Sequence, residues 1–140
     1  MKILVAVDGS LHTKRMLAHL AAHDEWLGPH HDYTVFYGGL AVPNRAAAFL
    51  DPKVVEGYYD DEAEKIFKPI RTFFQKQGIE ARFVHKVGQP AELIAKLATS
   101  GRFDLLVMGS HGHGAVGNLV LGSVVTKVLA KCSTPVLLVR

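Results

Sequence analysis

The chain alternates short apolar runs with longer amphipathic stretches. Residues 2–7, KILVAV, form a largely apolar run that ends at Asp8-Gly9-Ser10. A run without alternation is what a strand buried on both faces produces. Gly9 and Ser10 mark the turn, and Ser10 is placed to accept a bond from an orphan N–H of the next helix. In that helix Met16, Leu17, Leu20, Ala21 and Leu27 recur at helical spacing, and Gly28-Pro29 stops it. YTVFY at 33–37 predicts a second strand. From Gly38 to Pro52 there is no clean period and there are two prolines, which predicts a long loop.

A helix is predicted over 54–77, with Val55, Tyr59, Ala63, Ile66, Ile70, Phe73 and Phe74 on one side. Pro69 is a candidate kink within it, and Gly78 ends it. Residues 79–87, IEARFVHKV, predict a third strand. Pro90 suits the first turn of the next helix, whose Leu93, Ile94, Leu97 and Ala98 face inward. FDLLVM at 103–108 predicts a fourth strand, 109–117 a loop, 119–131 a helix and PVLLV at 135–139 a fifth strand. Strands alternating with helices argue for an α/β domain, a parallel sheet with helices on both faces. No linker or repeat divides residues 1–140, so one domain is expected.

Charge sharpens this picture. The net charge is +3, but residues 1–70 carry seven Lys/Arg against ten Asp/Glu, and residues 71–140 carry nine against three. A basic C-terminal half suits an anionic ligand. Nucleic acid is not expected: Lys14-Arg15 is the only adjacent basic pair, and aromatics do not interleave with basic residues. The opening MKILVAVDGS is not a signal peptide, and no apolar run approaches the ~20 residues needed to span a bilayer, so a cytoplasmic protein without membrane contact is expected. Cys132 is the single cysteine and reads as a small buried thiol.

The sharpest chemical signal is the segment from Gly109 to Ser123, GSHGHGAVGNLVLGS. It follows a strand and leads into a helix. Its glycines let the backbone take crowded or left-handed conformations, so that successive N–H groups converge on an anion. The exposed N–H groups of a helix start add to the attraction. No Gly-Lys pair exists, so this is not a Walker A loop. Residues 8–13, DGSLHT, fail the dinucleotide fingerprint where it would have to occur, in the first βαβ unit. The match at Gly112–Gly117 comes too late in the chain and reads as chance.

The two ends, KILVAVDGS and VMGSHGHGAVGNLVLGSVVTKVLAKCSTPVLLV, resemble the universal stress protein family. Its nucleotide-binding subgroup carries Gly, two residues, Gly, nine residues, Gly, then Ser or Thr. Here these are Gly109, Gly112, Gly122 and Ser123. The resemblance implies an open, Rossmann-like parallel five-stranded sheet of order 3-2-1-4-5. It also implies a site for an adenine nucleotide, ATP or AMP. Ala6, Val7 and Asp8 would line the adenosine end, and Gly38, just past the second strand, would close over the base. Met108, Gly109, His111 and Gly112 would contact ribose and phosphates, with Gly122, Ser123 and Val124 holding the phosphates from the far side. Mg²⁺ or Mn²⁺ can accompany the triphosphate through its oxygens. Family members often place Arg or Lys between the last two motif glycines. His113 to Leu121 contains neither, which leaves N–H groups, a metal, or His111 and His113 to meet the phosphate charge.

Other residues read more plainly. Asp8 is either a helix-start turn residue or a ligand contact. His12, His19 and His23 lie on one helix and suit its surface, since H-E-x-x-H is absent. Tyr58-Tyr59-Asp60-Asp61 sits near a helix start and could cover the pocket. No G-x-S-x-G elbow occurs and no general base is evident, so any turnover should be slow. Three functions compete: a nucleotide-binding stress-response or signalling protein without efficient catalysis, a slow ATPase or nucleotidyl-transfer enzyme, and a partner-binding protein with an empty pocket. The apolar fifth strand, an edge in the order 3-2-1-4-5, predicts a homodimer through the C-terminal strand.

Overall fold

The computed structural model describes residues 1–112 and 120–140. Five strands, β1 (Lys2–Val7), β2 (Asp32–Gly39), β3 (Ala81–Val87), β4 (Leu105–Gly109) and β5 (Val136–Val139), form one parallel sheet of order β3-β2-β1-β4-β5. The central strand alternates between two cores. Ile3, Val5 and Val7 pack with Tyr33, Val35 and three helices, α1 (Leu11–Ala22), α2 (Asp24–Leu27) and α4 (Pro52–Lys76). Leu4 and Ala6 pack with Phe36, Leu106 and Met108 against α5 (Pro90–Ser100) and α6 (Ser123–Lys131). Burial on both faces is why β1 carries no polar alternation. Among the described residues no helix is long and apolar enough to cross a membrane.

Several elements differ from their sequence expectations. The first predicted helix is two. His23 lies outside helical geometry (φ −126°, ψ 46°), and its ring Nδ1 takes the His19 carbonyl at 2.9 Å. That carbonyl is the acceptor the helix would have offered to the His23 N–H, which goes instead to Leu20 at 3.4 Å. The long helix α4 starts at Pro52 rather than at 54. Asp51 caps it, its carboxylate accepting the Lys53 N–H at 2.8 Å, and Pro52 sits where its missing N–H costs nothing. α4 then continues unbroken through Pro69. The expected loop from Gly38 to Pro52 holds the end of β2 and a short helix, α3 (Asn44–Ala47), so Gly38 lies within β2 and not beyond it.

The expected cap of α1 is also different. Ser10 makes no side-chain cap bond, and its hydroxyl is buried without a partner. Asp8 organises the turn instead. Its Oδ1 accepts from the Ser10 N–H and from the Thr13 hydroxyl, both at 2.9 Å, and its own N–H donates to Thr13 Oγ1 at 3.2 Å. Gly9 between them has φ +75°, a left-handed conformation that glycine adopts without strain, and a Cβ there would press on Ile66 at 3.2 Å.

Candidate ligand-binding site

The strand order reverses between β1 and β4, whose C-terminal ends open a crevice of the kind where ligands of open α/β sheets bind. A cavity of about 790 Å³ occupies it. Register carries its floor: Ala6 pairs with Met108 across β1 and β4, and Gly109 pairs with Val139 across β4 and β5. Asp8, a hundred residues from Met108 in sequence, stands beside it at the same end of the sheet.

The beginning and end of the glycine segment are tied together. The Ser110 N–H donates to the Val139 carbonyl at 2.9 Å, and the Gly122 N–H donates to the Ser110 carbonyl at 2.8 Å. Gly122 then serves as N-cap of α6, whose first residue, Ser123, faces the cavity. The motif glycines are held by close approach and not by left-handed backbone: Gly109, Gly112 and Gly122 all lie outside that region. A Cβ on Gly109 would come within 2.8 Å of His12 Cβ. One on Gly112 would lie 2.6 Å from Asp8 Oδ2, and one on Gly122 would lie 3.1 Å from His111 Cα. These three glycines therefore let β4, the turn at Asp8 and the start of α6 meet without side chains between them.

All eleven residues expected at the site, from Ala6, Val7 and Asp8 through Gly38, Met108, Gly109, His111 and Gly112 to Gly122, Ser123 and Val124, line this one cavity. His113 and the glycines at 114 and 117 lie outside the described residues. Gly38 has a packing role too, since a Cβ there would meet Pro90 Cα at 3.2 Å, at the start of α5.

Sequence reasoning missed the opposite wall. Tyr37, Tyr58, Tyr59, Glu62, Ile66, His85 and Lys86 also line the cavity. Tyr59 accepts the Val42 N–H at 2.8 Å, and Asp60 pairs with His85 at 3.3 Å, so α4 is tied both to the segment after β2 and to β3. Burial, then the charges of Glu62, Tyr58 and Asp8, push the Tyr37 phenol above its ordinary value, so it serves the cavity as a neutral hydroxyl. Lys86 is a cation on the cavity wall, but β3 lies three strand spacings from β4, about 14 Å at the usual ~4.8 Å per strand. It therefore stands at the far end from the glycine segment. Only the tyrosine pair had a sequence signal.

An open parallel α/β sheet with a glycine-lined cavity at its topological switch point is the class of fold that places its ligands in such a crevice. The particular family follows from comparison. The universal stress protein family model matches residues 1–140, and the chain belongs to that family. It is 36% identical over 142 residues to a universal stress protein of Thermus aquaticus, covering 99% of this chain and 97% of that one. Its fold is similar to that of the MJ0577 protein of Methanocaldococcus jannaschii, with TM-score 0.82, 26% identity and coverage of 99% and 94% of the two chains. It is similar also to the universal stress protein of Archaeoglobus fulgidus, solved in complex with dAMP, with TM-score 0.70, 22% identity and coverage of 100% and 98%.

Proposed function

We propose that this chain binds an adenine nucleotide, ATP or AMP, in the switch-point cavity and acts as a stress-response or signalling protein without efficient catalysis. The observation that carries the reading is the closure of the glycine segment: Gly122 N–H on Ser110 O, with Gly112 against Asp8, brings the first turn of α6 and the end of β4 to one point. Unpaired N–H groups at a helix start favour an anion there. Phosphates belong at that end. Ala6, Val7, Asp8 and Gly38 then take the adenosine, and Met108, Gly109, His111, Gly112, Ser123 and Val124 the ribose and phosphates. The dAMP bound by the Archaeoglobus fulgidus protein supports the adenine class.

Among the described residues no three His, Cys, Asp or Glu side chains come together to hold a metal. A Mg²⁺ or Mn²⁺ ion would therefore reach the site on the oxygens of the triphosphate. Asp8 Oδ1 is already engaged by Ser10 and Thr13, so this carboxylate is built into the turn rather than poised as a base for an attacking water. Slow turnover follows. The reading also includes a cytoplasmic homodimer joined along β5. The test is to denature purified protein and identify any released nucleotide by mass and absorbance. An adenine nucleotide is expected; a guanine or pyrimidine nucleotide would refute the assignment.

A further inference from the structure

We propose that His19 and His23 form a two-imidazole site for a divalent transition-metal ion of the zinc and copper class, at the C-terminal end of α1. Neither residue lines the switch-point cavity, and the inference does not depend on the nucleotide reading.

The two histidines are four positions apart, one above the other on the last turn of α1. Their ring centres stand 4.1 Å apart with 32° between the planes, and both residues are partly exposed. The His23 ring is already held as ligating histidines are held. Its Nδ1 lies 2.9 Å from the His19 carbonyl oxygen. A carbonyl oxygen only accepts, so Nδ1 carries the hydrogen and the neutral ring keeps its lone pair on Nε2. A backbone carbonyl on one ring nitrogen and a metal on the other is the common arrangement of such a ligand. Among the described residues the His19 ring makes no hydrogen bond, so either of its nitrogens is open to an ion. Two nitrogens each ~2.0–2.1 Å from a tetrahedral ion lie about 3.4 Å apart. Rotation of the His19 ring about its side-chain bonds reaches that span from the observed pairing.

The surroundings favour a cation. The last carbonyls of α1 are at this end, and a helix C-terminus attracts positive charge. No Lys or Arg occurs from Met16 to His31, and Asp24 and Glu25 follow His23 directly. A second imidazole pair, His30 and His31 with ring centres 4.0 Å apart, is not equivalent. Both nitrogens of His31 are taken, by the N-terminal ammonium at 2.9 Å and by the Trp26 carbonyl at 2.6 Å. Imidazole nitrogen suits Zn²⁺ and Cu²⁺, whereas Mg²⁺ and Ca²⁺ require oxygen ligands. Among the described residues no third His, Cys, Asp or Glu joins the pair, so water completes the coordination.

The test uses a reporter built into the site. Trp26 is the only tryptophan of the chain, and its ring stands 6.4 Å from that of His23. Tag-free, nucleotide-free protein is titrated with Cu²⁺ at about pH 7.5, where imidazole is mostly neutral. Trp26 fluorescence should be quenched saturably at one equivalent, with Kd below about 100 µM. His19→Gln and His23→Gln should each weaken binding at least about tenfold, because each leaves a single imidazole. His30→Gln should leave it unchanged, and Mg²⁺ should quench nothing. No saturable quenching of the parent, unchanged affinity in either His19→Gln or His23→Gln, or an equal loss in His30→Gln would overturn the proposal. A second measurement needs no variant to fold beyond those used for assignment: ¹⁵N spectra of the parent's imidazoles should show the Nδ1–H tautomer for His23, and one equivalent of Zn²⁺ should shift the His19 and His23 signals first. An Nε2–H tautomer for His23, or Zn²⁺ shifting other histidines first, overturns the proposal as well.

Discussion

The Gly122 N–H and the Ser110 carbonyl, twelve positions apart, are joined by a 2.8 Å hydrogen bond that closes the glycine segment on itself. The bond fixes where α6 begins relative to the end of β4. It also explains why residue 122 is glycine: the neighbours of its absent Cβ, His111 Cα at 3.1 Å and Ser110 O at 3.3 Å, are backbone atoms that cannot swing aside. Gly122→Val and Gly112→Val should each weaken ATP binding at least about tenfold, since a misplaced loop loses several N–H contacts of about 1 kcal/mol or more each. Both variants should keep the far-UV circular dichroism of the parent. An unchanged ATP titration by either variant would contradict the phosphate-loop reading.

Tyr33 gives a prediction about alkaline stability. Its ring is 1% exposed beside Phe74, and its hydroxyl bonds the carbonyls of Leu27 and, at 3.0 Å, Gly28. Burial pushes its pKa from the ordinary 10.0 to about 12. The folded state thus holds a proton that the unfolded chain releases above pH 10. Its contribution is complete below that pH and is lost as pH rises toward 12. The loss amounts to about 2–3 kcal/mol over that interval. Urea denaturation between those pH values should show the decline, and Tyr33→Phe should flatten it. An equally steep decline in the variant would assign the effect to another group.

The edge strand β5 yields a prediction about assembly. The carbonyls of Pro135 and Val139 accept N–H groups of Leu106 and Ser110, so the odd-numbered residues of this strand face β4. Val136 and Leu138 then turn their N–H groups outward, where a second β5 can pair antiparallel about a two-fold axis. Leu138→Pro removes an outward donor and should give a folded monomer by light scattering. Leu137→Pro removes a donor from the β4 side and should destabilise the fold. A parent that runs as a monomer at high micromolar concentration would end the dimer proposal.

Turnover should be slow. With ATP and Mg²⁺ the protein should release phosphate far below ~1 per second, the low end of common enzyme rates. A saturable ATPase at or above that rate, lost on Asp8→Asn, would make the protein an enzyme.

The sheet was legible because β1 is apolar at every position from Ile3 to Val7 and because apolar and helical periods alternate along the chain. The strand order and the cavity's glycine side came from the resemblance at the two ends, and both parts lie together in the structure. What stayed hidden depended on competition or on distance. His23 breaks a helix by lending its ring to a carbonyl that periodicity assigns to the backbone. Pro52 reads as a breaker until Asp51 is seen capping it. Asp8 and Thr13 take over the cap that Ser10 seemed to offer. Tyr37, Glu62 and Lys86 reach the cavity only through the packing of α4 and the β2–β3 register, which no local pattern encodes.

The most direct measurement is calorimetric titration of the nucleotide-free parent with ATP and with AMP. The account predicts saturable binding of at least one of them, at one site per chain, with Kd below about 1 mM. No saturable binding of either nucleotide up to that concentration would contradict it.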